Sequence, residues 1–138
     1  MSMLNFFRSL VLIGLLLVTN IANLDIVLSN YGSTQGQLVV SLFESPATFL
    51  VEPLQTAIIT PIPTETAAVR FDQLPTGDIA IAAFHDVNAN GELDTGLFGI
   101  PTEVFVFGNN ARGTFGPPSF QSAAIALEGG DNTHRVSF

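Results

Sequence analysis

The chain has 138 residues, which fits a single domain. Hydrophobic residues make up 47% and charged residues 12%, so a core can form and the chain is not of the disordered class. Twelve Asp and Glu against four Lys and Arg give a net charge of -8, which repels phosphate backbones and excludes nucleic acid as a partner. The absence of cysteine excludes disulfides, thiolate metal sites and a cysteine nucleophile.

In chain order, the first segment stands apart. Arg8 is the only charge before Asp25, and it precedes the apolar run from Leu10 to Val18. A basic start and a short apolar run read as a secretory signal peptide over residues 1–22, with an uncleaved anchor as the alternative. The run is short for a membrane span, which needs about 20 apolar residues. The expectation is a secreted or periplasmic protein, with residues 23–138 as its one domain and no membrane partner after the leader is removed.

From Leu24 onward the chain reads as strands between turns. Leu24–Leu28 alternates, Tyr31–Gly36 has turn chemistry, and Gln37–Phe43 follows, which predicts a hairpin. Gln55–Thr60 is a short apolar run stopped by Pro61 and Pro63, since proline cannot donate to a ladder. Ala67–Phe71 is a further strand. Asp78–Phe84 is apolar on both faces and is predicted to be central.

Residues 85–121 form one long Gly-, Asn- and Pro-rich region carrying Phe98, Phe105, Phe107, Phe115 and Phe120. The phenylalanines predict that the region packs on its own side chains. Ala123–Leu127 and Thr133–Phe138, joined by Glu128–Asn132, predict a second hairpin. About seven short strands with regular turns give an all-β fold, a single antiparallel sandwich of the prealbumin-like or Ig-like kind.

One segment points to chemistry. Asp86, Asn88 and Asn90 alternate before Gly91, followed by Glu92 and Asp94. Calcium takes six to eight oxygens, and this spacing can turn side-chain oxygens from Asp86, Asn88, Asn90 and Asp94, with the Glu92 carbonyl, toward one centre. The match to an EF-hand loop is incomplete, because its twelfth position is Leu97. Such a site needs completion from elsewhere, with Glu103 or Asp72 as candidates. The competing reading is a metal-free turn, since Asp and Asn bond to their own backbone and Asn-Gly favours positive φ.

Other residues read as structural. His85 beside Asp86 invites a catalytic or zinc reading, but the only other histidine is His134, and a satisfied structural histidine is expected. Ser41, Ser119 and Ser122 lack the context of an activated nucleophile. Arg112 lies in a second concentration of special residues, Asn109–Gly113 and Gly116–Phe120. It is expected to pair with a carboxylate, the alternative being a surface where it meets an anionic ligand.

Together the stretches Phe71–Ile81, Phe84–Asp86, Asn88, Asn90-Gly91, Asp94, Gly99–Glu103, Asn109–Arg112 and Gly116–Phe120 resemble the secreted bacterial proteins grouped as a domain of unknown function, DUF2141. The resemblance runs from about Leu24 to Phe138 and implies no activity. Phe71–Ile79 also looks like the turn and strand of prealbumin-like cell-surface modules, which serve as stalks, spacers and binding domains; the turn has Thr76 where a second proline is common. The expectation is a non-catalytic structural or binding module for an unknown protein or surface polymer, with calcium stiffening one loop. The alternatives are a hydrolase using His85 and Asp86, and a carrier of a small apolar ligand.

Overall fold

The computed structural model describes residues 20–63 and 66–138. The expected signal segment lies outside these residues except for its last three, and two of those, Ile21 and Ala22, belong to the first strand. Among the described residues the fold is all-β, with eight strands: β1 (Ile21–Ser29), β2 (Gln37–Phe43), β3 (Gln55–Ile59), β4 (Thr66–Pro75), β5 (Gly77–Asp86), β6 (Phe105–Phe107), β7 (Ala124–Leu127) and β8 (Gly130–Ser137). A single helical turn, α1 (Phe120–Ala123), precedes β7, and the Ser119 hydroxyl caps it by accepting from the Ser122 N–H.

The strands form two sheets. One has three strands in the order β4-β1-β8. The other has five, in the order β3-β2-β5-β6, with β7 also paired to β5. β6 bonds to Ala82–Phe84 and β7 to Gly77–Ala80, so the two short strands share one edge of β5. β5 is central, as its two apolar faces predict.

The core lies between the sheets. Ala22, Leu24, Ile26 and Leu28 alternate along β1 and are all fully buried. They meet Leu38, Val40 and Leu42 of β2 and Ile79, Ile81 and Ala83 of β5. Each large aliphatic enclosed this way contributes about 1.5–3 kcal/mol relative to exposure. The three-stranded sheet turns its charges outward: Arg70 bonds Asp25 at 2.9 Å and Asp72 and Asp131 at 2.8 Å each. These pairs are solvent-exposed and screened, so they fix register across β1, β4 and β8 more than they add stability.

Three expectations are corrected. Neither predicted hairpin forms: β1 and β2 lie in opposite sheets, and so do β7 and β8. The seven residues from Asn30 to Gly36 exceed a tight hairpin loop and carry the chain across the sandwich, with Tyr31 buried and its hydroxyl donating to the Ile62 carbonyl at 2.9 Å. At the other corner the Asn132 side-chain amide donates to the Glu128 and Gly130 carbonyls, folding the chain away from β7. Third, the sandwich is not wholly antiparallel, because β8 runs parallel to β1.

The Gly-, Asn- and Pro-rich region is more structured than a loop. It contains β6, two 3-10 turns and α1. The turn at Gly108–Asn110 is tied to β8: the Asn109 N–H donates to His134 Nε2 at 2.9 Å, and the Ser137 N–H donates to Asn110 at 2.9 Å. Burial holds His134 below the usual imidazole range, which suits a ring nitrogen that must accept.

Candidate functional site

The loop after β5 is organised by one carboxylate. Asp86 ends the strand and is fully enclosed. It accepts from the Asn90 N–H at 3.1 Å, the Gly91 N–H at 2.7 Å and the Gln37 side chain at 2.8 Å. Burial alone would push this carboxyl up, but the bonds from Gly91, Gln37, Asn90 and Ala89 outweigh it and hold Asp86 below the ordinary carboxylate value. Gly36, at φ +69, sits against the Asp86 and Val87 carbonyls, where a Cβ would collide with both.

Glu103 clamps the loop at both ends. One of its oxygens accepts from the Val87 N–H and the other from the Asp94 N–H, each at 3.0 Å. Asp94 in turn accepts from the Asn88 and Asn90 amides at 2.6 and 2.7 Å. Four of the five residues expected to ligate calcium therefore gather here: Asp86, Asn88, Asn90 and Asp94. Glu92 is exposed, and its N–H donates to Asn90 at 3.0 Å. Of the two residues named to complete a metal site, Glu103 joins the loop, while Asp72 bonds Arg70 on the other sheet. The carboxylates and amides satisfy one another and the backbone. Among the described residues no group of three or more His, Cys, Asp and Glu is arranged to hold a metal ion.

His85 is buried, and its ring nitrogens lie 2.7 Å from the Tyr31 carbonyl and 2.6 Å from the Gln35 carbonyl. Both nitrogens are taken up in tying the Asn30–Gly36 crossover to β5. Arg112 departs from its expectation: it is exposed and has no ion-pair partner among the described residues, because the loop around it brings no carboxylate within reach.

Beyond Asp94 the chain forms a narrow flap. The Thr102 N–H donates to the Asp94 carbonyl at 2.9 Å, the Gly96 N–H to Ile100 at 2.8 Å and the Ile100 N–H to Leu97 at 3.3 Å. Phe98 and Gly99 at its tip have φ of 60 and 69, the left-handed pair of a type I′ turn. Glycine adopts this freely, whereas a phenylalanine there is strained. The strain wins no packing, because Phe98 is 95% exposed.

The flap walls a groove on the outer face of the five-stranded sheet. Phe43 of β2, Ala82 and Phe84 of β5, and Phe105 and Phe107 of β6 line it, together with Phe98 from the flap and Phe115 from a second loop. The groove holds about 650 Å³. Below it Phe43 and Phe107 are buried against Phe120, with Phe49 edge-on to Phe43 at 5.5 Å. Phe115 is as open as Phe98, at 103%. The expectation that the phenylalanines pack inward holds for Phe107 and Phe120 and fails for Phe98 and Phe115. Sequence reasoning missed the groove, because a phenylalanine directly before glycine does not sort these rings: Phe98 and Phe115 are exposed, while Phe107, before Gly108, is buried.

Fold and site together define an all-β sandwich with an aromatic groove on one outer face. The chain belongs to the family described as uncharacterized protein conserved in bacteria, DUF2141, which it matches over residues 26–135. That span includes the clamped loop, the flap and both phenylalanine tips. No curated protein and no solved structure matches the chain.

Removing the Asp86 carboxylate orphans buried donors, so Asp86→Ala should cost about 2–4 kcal/mol, whereas Asp94→Ala, half-buried and bonded only by side chains, should cost about 0–1 kcal/mol. Because the folded carboxyl titrates below its ordinary 3.8, its contribution is complete above that value and disappears as pH falls through the lower folded value. Denaturant melts at pH 6 and pH 3 check both points, and Asp86→Asn should flatten part of the acid-side loss.

Proposed function

We propose that this chain is an exported, non-catalytic binding module whose working surface is the aromatic groove. The observation that carries this reading is Phe98, a strained residue held in the solvent at the rim of an apolar hollow. Strain that stability does not require points to a role in contact. Exposed apolar clusters of this kind mark interaction sites. The non-catalytic part draws support from His85, whose nitrogens are both engaged by carbonyls. Export rests on Arg8 and the apolar run after it, and the mass of the chain recovered outside the cytoplasm decides it: an intact Met1 in a membrane fraction would argue for an anchor.

Phe98→Asn separates binding from folding. Asn-Gly is the preferred pair for a type I′ turn, so this variant should melt at the same or a higher temperature. It should also weaken groove binding at least tenfold, read by fluorescence with Nile red, anilinonaphthalene sulfonate and acridine orange in turn. If none of the three dyes binds the native chain, the binding-module reading fails.

A second reading concerns the clamped loop, where calcium is a proposal. Both Asn88 and Asn90 present their amides to Asp94, and turning those amides over would direct oxygens to the same point. The cation would have to displace the bonds that Asn88 and Asn90 accept from the Asn90 and Glu92 N–H groups, so its affinity should be modest. Millimolar calcium should raise the melting temperature over chelator, more than magnesium does, and Asp94→Ala should remove the difference. Equal melts in calcium and chelator would leave the loop as a metal-free turn.

A further inference from the structure

Resting on the binding-module reading, we infer that the groove takes a small, uncharged, ring-bearing molecule. Its size sets the first limit: about 650 Å³ lies inside the 300–1,000 Å³ range of small-molecule sites. Charge sets the second. No ionisable side chain lines the groove, so an anion entering it would lose its hydration without gaining a partner, and a cation would meet ring faces but no carboxylate to offset its desolvation. The net charge of -8 further disfavours anions.

Ring content sets the third limit. Six phenylalanines line the hollow, and Phe105 and Phe107 already meet edge to face at 5.7 Å. A flat aromatic ligand extends that geometry with offset or edge contacts, which add to plain burial. The one polar side chain in the wall, Ser41, is bonded to the Thr56 hydroxyl at 2.9 Å and needs nothing from a ligand. The floor is set before any ligand arrives, because Phe43 and Phe107 are buried against α1. Only the rings of Phe98 and Phe115 have to close, which keeps the cost of ordering low.

The test titrates the full exported chain with three dyes of similar size: neutral Nile red, anionic anilinonaphthalene sulfonate and cationic acridine orange. The neutral dye should bind at least tenfold more tightly than either charged dye. Ala82→Phe fills the groove from the sheet and should weaken that binding at least tenfold; should it fail to fold, Phe98→Asn serves in its place. Tighter or equal binding of a charged dye would overturn the ligand class while leaving the groove a binding site. Binding of the neutral dye untouched by either variant would locate it elsewhere and overturn the inference. A concentration-dependent rise in sedimentation coefficient that Ala82→Phe abolishes would assign the groove to a second copy of the chain, with the same consequence.

Discussion

A carboxylate sealed at the end of a central strand governs one end of this molecule. Asp86 is enclosed, and donors from Gly91, Gln37 and Asn90 converge on its carboxylate and offset the cost of burying it. Two of these are backbone N–H groups of the loop that follows, which fixes that loop's path. Once the loop is fixed, the Asp94 N–H meets Glu103, and the base of the flap between them is tied by the Thr102 N–H to the Asp94 carbonyl. The flap then projects Phe98 beside a sheet face that already carries aromatic rings. A buried charge is costly to maintain unless fully bonded. Here the bonds that compensate it also build the groove.

The two sheets have different outer faces. The three-stranded sheet carries Arg70 among Asp25, Asp72 and Asp131 and is polar and well hydrated. The five-stranded sheet carries Phe43, Ala80 and Phe107, partly covered by α1 and Phe49. Where that cover stops, the groove begins. The long region after β5 therefore acts as a partial third layer, closing one half of the sheet face and leaving the other open.

Much of the fold was legible in the residues. Alternation and short apolar runs bounded by turns gave seven of the eight strands, and two apolar faces identified β5 as central. β6 went unread because Phe105–Phe107 is only three residues long, too short for a period to show. Pairing was misread twice, since turn chemistry between adjacent strands does not say whether the second strand returns beside the first or crosses to the facing sheet. The loop at Asp86 was visible as spaced Asp and Asn, but spacing alone does not separate oxygens that hold a cation from oxygens that hold backbone. Glu103 was a named candidate, yet its role as a clamp on two N–H groups depends on a flap that brings residue 103 back to residue 87. The groove depends on which rings a loop exposes, and composition favoured burial for all of them.

The parallel pairing of β1 with β8 joins the two extremes of the domain. Asn23 donates to Asp131 at 3.1 Å, across more than a hundred residues. β1 is the middle strand of its sheet, so it stays half-unpaired until β8 arrives. A chain that emerges from its N-terminal end has to present β8 before this sheet can close. Contacts of such long range form late and slowly. The topology thus leaves the three-stranded sheet incomplete until β8 is in place, so that β8 closes it.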